Sequence, residues 1–86
     1  MNVISGTFTA TGTSAEFSTA KASVSLVFDG TATIAVQRSF DGGATWATVG
    51  DTKIGSEEFE IDSARSCHWR LNCTSYTDDV DYKVFY

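Results

Sequence analysis

Proline is missing altogether from the 86 residues, histidine occurs once, and lysine and arginine together number 6 against 11 aspartates and glutamates. With a formal charge of −5, binding by phosphate neutralisation or docking on an anionic lipid surface is disfavoured, so neither nucleic acid nor membrane is expected as a partner. No stretch comes near the ~18 apolar residues of a membrane-spanning helix. The opening residues Met1 to Thr7 carry neither a basic start nor an apolar run, and the chain is expected to be made in the cytoplasm without a secretion signal. No glycine-rich loop followed by Lys-Ser or Lys-Thr is available to cradle phosphate. Strong helix formers are scarce, and no apolar stripe of helical period is left over once the other patterns are assigned.

The two cysteines, Cys67 and Cys73, lie six residues apart. In an extended strand rising ~3.3 Å per residue their Cα atoms would be ~20 Å apart, far beyond disulfide reach, so both are expected as free, buried thiols. One histidine and two cysteines also fall short of the four converging ligands of a structural zinc site. No cofactor or metal is expected.

What the chain does have is hydroxyls and alternation. Serine and threonine make up 22 of the 86 residues, and threonine with the aromatic and β-branched residues favours pleated, half-buried strands. Val24, Leu26 and Phe28 alternate with Ser23, Ser25 and Val27. Ile34, Val36 and Phe40 share a parity with Arg38. Phe59 and Ile61 alternate with Glu58, Glu60 and Asp62; Cys67, Trp69 and Leu71 with His68, Arg70 and Asn72; and Val80, Tyr82, Val84 and Tyr86 with Asp79, Asp81, Lys83 and Phe85. Weaker strands are expected over 2–10, 15–20 and 46–50.

Turn signals at Thr11-Gly12-Thr13, Asp29-Gly30, Asp41-Gly42-Gly43, Gly50-Asp51 and Gly55-Ser56 punctuate these runs, with connections of ~2–6 residues. Asp29-Gly30 predicts a tight hairpin with a primed turn. The expected fold is all-β: one domain over residues 1–86, a small antiparallel β-sandwich or jelly-roll-like barrel of about eight short strands. A core of some fourteen large side chains, each contributing ~1.5–3 kcal/mol before entropy is subtracted, leaves a thin margin that burying an edge or a face against a partner would raise. Val27 and Phe85, on the parity opposite their apolar neighbours, are candidates for such a face.

Candidate chemistry is sparse. His68 has no evident partner with which to build a general base or a triad. Glu57, Glu58, Glu60 and Asp62, and then Asp78, Asp79 and Asp81, could pair as glycosidase carboxylates or bind calcium. Glu58, Glu60 and Asp62 alternate along one strand face, however, as a solvated edge does, and EF-hand spacing is absent. Arg38 and Arg70, few and set within strands, suit a bidentate pair with a carboxylate inside the sheet or across a subunit interface.

The sharpest local signal is Ser39-Phe40-Asp41-Gly42-Gly43-Ala44-Thr45-Trp46, which fits the Asp-box pattern Ser-x-Asp-x-Gly-x-Thr-Trp at Ser39, Asp41, Gly43, Thr45 and Trp46. Asp41 is placed to accept hydrogen bonds from backbone amides across the turn, the glycines admit positive φ, and Thr45 can bond back to the loop. In sialidases and other proteins such boxes resemble folding punctuation on hairpins, away from catalytic centres. A hairpin role is therefore expected here, with glycan contact through Trp46 as the competing reading.

Three segments in order, Ser5-Gly6-Thr7-Phe8-Thr9-Ala10-Thr11-Gly12, then Gln37 to Trp46, then Trp69-Arg70-Leu71-Asn72-Cys73-Thr74-Ser75-Tyr76-Thr77 with Tyr82, resemble small virion structural proteins of tailed bacteriophages and prophages. That resemblance implies a protein without catalysis, present in many copies: a capsid decoration protein that bridges the major capsid protein lattice, with a homotrimer favoured and the virion as its location. A neck or tail-associated virion protein and a free carbohydrate-binding module are the alternatives.

Overall fold

A computed structural model describes residues 1–86 and contains seven strands and no helix: β1 (Val3–Phe8), β2 (Gly12–Thr13), β3 (Phe17–Phe28), β4 (Ala32–Ser39), β5 (Ala47–Thr48), β6 (Glu57–Tyr76) and β7 (Val80–Phe85). All pairings are antiparallel, in the order β1-β7-β3-β6-β4-β5 with β2 added alongside β6. The all-β fold class expected from period-two alternation is what forms.

Two pairs of expected neighbours fuse, and a two-residue strand, β2, forms at the Thr11-Gly12-Thr13 turn signal, so the count is seven. The runs around Phe17 and Val24 are one strand, and so are those around Phe59 and Trp69, the latter spanning 20 residues. Neither fused segment contains a glycine or proline to break it. Direction changes instead through a register shift between Thr19 and Lys21 against β6. The shift also flips parity: Phe17 is buried before it, and Ala22, Val24 and Leu26 after it. A bulge of this kind turns a sheet corner and re-aims side chains.

Two layers result. Residues 21–26 of β3 pair with 57–62 of β6, and residues 23–28 pair with β7, which with β1 extends that layer. Residues 17–19 of β3 and 67–76 of β6 belong to the other layer, with β2, β4 and β5. The sheet thus folds over on itself as a small sandwich around a single cluster of 15 buried residues centred on Trp69, Leu71, Ile34, Val80 and Val84. Cys67 and Cys73 are free and belong to this core, and burial pushes the Cys73 thiol above its ordinary pKa.

Two expectations about connections are corrected. Asp29-Gly30 does not close a hairpin, because β3 and β4 are not neighbours, and Gly30 lacks the positive φ of a primed turn. The 29–31 segment crosses between layers and is held by the 77–79 crossing. Asp29 N–H donates to Asp79 O, Thr31 N–H to Asp78 Oδ2, and the Thr77 and Asp78 N–H groups to Thr31 O. The connections over 40–46 and 49–56 are also longer than ~2–6 residues. In the second, Lys53 exchanges two backbone hydrogen bonds with Ile34 and so covers β4 where β5 has ended.

Ser14 performs a task that nothing in its sequence context announces. Its N–H donates to Leu71 O at 2.9 Å, and its Oγ accepts the Leu71 N–H at 2.9 Å while donating to Ala15 O. A side-chain oxygen here satisfies a buried ladder position that no carbonyl reaches.

Candidate functional site

The 40–46 connection joins β4 to β5, whose flanking residues Gln37 and Arg38 pair with Thr48 and Ala47. Ser39 is buried, and its Oγ accepts the Gly43 N–H at 2.9 Å and the Asp41 N–H at 3.4 Å while donating to Asp41 Oδ1 at 2.6 Å. The Asp41 carboxylate also accepts the Thr45 N–H at 2.9 Å and the Thr45 hydroxyl at 2.5 Å. Gly42 and Gly43 have φ of 73° and 95°, a region that side chains rarely adopt. Trp46 Nε1–H closes the loop on Gly43 O at 3.1 Å. All five motif residues are thus joined by hydrogen bonds within one loop.

Donors aimed at the charged carboxylate, the Ser39 hydroxyl foremost and then Thr45, hold Asp41 well below the usual carboxylate range. Because the folded pKa is depressed, its contribution to stability is complete above the unfolded value near ~4 and fades as pH falls below it. Asp41→Asn should therefore lower the thermal midpoint at pH 7 by roughly 5 °C through weakened turn bonds, with the gap narrowing as pH is taken from 4 toward 2. Thermal melts of both proteins across that range check it; a gap independent of pH would contradict the charged-loop account.

Arginines gather around this loop. The Arg38 guanidinium lies 4.9 Å from the Phe40 ring centroid, and that of Arg70 lies 4.2 Å from Trp46. Arg70 Nε also donates to Gln37 Oε1 at 2.8 Å. Arg65, in the β6 bend, lines an open groove of about 510 Å³ with Phe40, Ser63, Ala64 and Ser66. Phe40 is 59% exposed. The expected carboxylate partners of Arg38 and Arg70 are not present within the chain: the lysine–carboxylate pair is Lys53–Glu57 at 3.7 Å, and Glu16 lies 3.7 Å from His68. Arg38 and Arg65 thus flank Phe40 as an arginine end without a carboxylate, whereas Arg70, paired with Gln37, stacks on Trp46 on the opposite face of the β4–β6 pairing. Stacking leaves the guanidinium edge N–H groups free to take an anion in plane.

His68 is less isolated than its sequence context suggests. Its Nδ1 lies 3.3 Å from Ser18 Oγ and 3.7 Å from Glu16 Oε1. Hydroxyl and carboxylate meet the same ring nitrogen, whereas a proton relay needs one on each nitrogen. The three therefore form a polar surface cluster rather than an aligned triad. The acidic side chains are dispersed too: no three of the His, Cys, Asp and Glu side chains converge as a metal site would require. Asp79 accepts the Tyr76 hydroxyl, which raises the Tyr76 pKa, and Asp81 accepts from Thr7.

Comparison with protein-family models, curated proteins and solved structures finds no match to this chain. Phe85, expected at an interface, is half-buried on the outer face of the first layer, next to Val3 and Ser23 in neighbouring strands and remote in sequence from the arginine end. The arginine end, not Phe85, combines exposure, charge and aromatic surface. Arg65 and Phe40 were missed as parts of it, because the 40–46 loop and the β6 bend come together only through the turned corner.

Proposed function

We propose that this protein is a virion structural protein of the capsid-decoration type, which adheres to the major capsid protein lattice through its arginine end. The observation that carries the reading is the pair Arg38 and Arg65, free of carboxylate partners and set beside the exposed ring of Phe40. Arginine and aromatic residues are the types enriched at the centres of protein interfaces, where desolvated guanidinium–carboxylate pairs and buried rings supply most of the binding energy. Phosphate polymers fit this surface less well, since the remaining surface is acidic and repels them at long range. The sequence resemblance to small phage virion proteins supplies the partner. The short hydrogen-bonded crossings at 29–31 and 77–79 suit a protein whose work is adhesion.

A glycan-binding reading through Trp46 finds less support. Arg70 covers one face of the ring, and the indole N–H is already given to Gly43.

Co-sedimentation with expanded phage heads tests the proposal. Stoichiometric binding to heads is expected, lost in Arg38→Ala combined with Arg65→Ala while the thermal midpoint stays within a few degrees of the parent. Binding confined to tails or connectors would favour the neck or tail alternative, and tryptophan quenching by glycans would favour the carbohydrate module. Either result would overturn the decoration reading.

A further inference from the structure

The sheet has four free borders, and they are not treated alike: the one along β2 and residues 17–19 of β3 is made of pieces of two and three paired residues. The β6 border over 57–62 carries Glu57, Glu58, Glu60 and Asp62. The β5 border is only two residues long, and the backbone of Lys53 covers β4 beyond it. Charge, shortness and cover are the devices by which natural sheets discourage pairing with another chain. β1 has none of them. Its sequence, Val-Ile-Ser-Gly-Thr-Phe, has no charge and no proline, it forms a regular six-residue register with β7, and it stands last in the sheet order with nothing on its far side.

We infer that the free edge of β1 pairs antiparallel with β1 of a second copy, joining the first layers of two molecules into one continuous sheet across a two-fold axis.

The occupant follows from β1 itself. Antiparallel self-pairing sets residue i against j with a constant sum, and any even sum keeps side-chain parity. With Ser5 opposite Ser5, Ile4 faces Gly6 and Val3 faces Thr7. The core-facing Ile4 and Phe8 of both copies then share one side of the joined sheet, and the exposed Val3, Ser5 and Thr7 share the other. No like charges meet, since β1 has none. The nearest charges, Asp81 and Lys83, lie one strand back on β7. Across the axis they are three strand spacings apart, ~14 Å, beyond the ~8 Å screening length at physiological salt, so the net charge of −5 opposes association only weakly. Val3, 52% exposed, gains cover. A closed three-fold ring would instead require β1 to meet a different border, and the long one is lined with carboxylates.

This inference stands apart from the capsid proposal and is tested on the purified full chain. Sedimentation equilibrium should give twice the chain mass at micromolar concentration. Ser5→Glu places a carboxylate opposite its own copy across the axis, yet beside Lys83 within the molecule, so the fold is kept while the dimer weakens roughly tenfold or more. Thr7→Lys, beside Asp81, is read in parallel with circular dichroism of both variants. Glu58→Lys, on the opposite border, should leave the mass unchanged. A monomer or trimer for the parent protein, or a dimer indifferent to both β1 substitutions, would overturn the inference.

Discussion

Trp69→Ala should lower the thermal midpoint by about 15 °C or more and leave much of the protein unfolded at body temperature. Trp69 is fully buried at the centre of the core cluster, and its Nε1–H donates to Thr19 O at 2.9 Å, beside the register shift in β3. Truncating a buried tryptophan costs ~3–5 kcal/mol through lost burial and the cavity left behind, against a total of roughly 4–13 kcal/mol for a chain of this length. In a domain this small each kcal/mol moves the midpoint by ~4–8 °C. Trp69→Phe separates the two contributions. It retains most of the ring volume but strips the Thr19 carbonyl of its donor, so it should fall between parent and alanine variant in calorimetry. A Trp69→Ala melt within a few degrees of the parent would mean that the core is not organised around this ring.

Ser14→Ala should cost ~1–3 kcal/mol, since it leaves the buried Leu71 N–H without an acceptor. The change removes one oxygen and creates little space, so its effect reports the orphaned donor and not a cavity. Ser18→Ala is the matched control. Ser18 is exposed and reaches only His68, at 3.3 Å, and its loss should stay within ~0.5 kcal/mol. Amide hydrogen exchange adds a local readout: Leu71 should lose protection in Ser14→Ala and keep it in Ser18→Ala. Equal midpoints for the two variants would refute the assigned role of Ser14.

Trp69 and Ser14 mark what could and could not be read from the chain. Trp69 sits in a strict alternation with Cys67 and Leu71, and period two by itself assigns it to the core face; the same logic placed Val24, Ile61, Val80 and Val84. Ser14 follows a weak strand and looks like any other loop hydroxyl, because its partner lies 57 residues away and only pairing reveals it. Asp29-Gly30 misled for a related reason. The dipeptide is compatible with a hairpin, but local chemistry cannot specify which strands become neighbours, and here long-range pairing with 77–79 decided the path. Strand breaks were expected at 20–23 and 62–67, where the structure has none, because a bulge changes direction without any turn residue.

At the candidate site, Ser39, Asp41, Gly43, Thr45 and Trp46 were legible from spacing, since their interactions stay within the loop. Arg38 and Arg70 stood out as isolated cations. Their stacking on Phe40 and Trp46 depends on hairpin geometry that sequence spacing leaves open. Arg65 entered the site only when the β6 bend brought it beside Phe40.

The turned corner has a kinetic consequence. β3 and β6 each contribute to both layers, so neither layer can be completed by neighbouring residues alone: Phe17 must find Trp69, and Leu26 must find Glu57, before either is whole. Closing loops of that length precedes most of the favourable burial, which places the chain among slow, millisecond-to-second folders. The two halves should also be lost together in a single cooperative step, because β3 and β6 run through both.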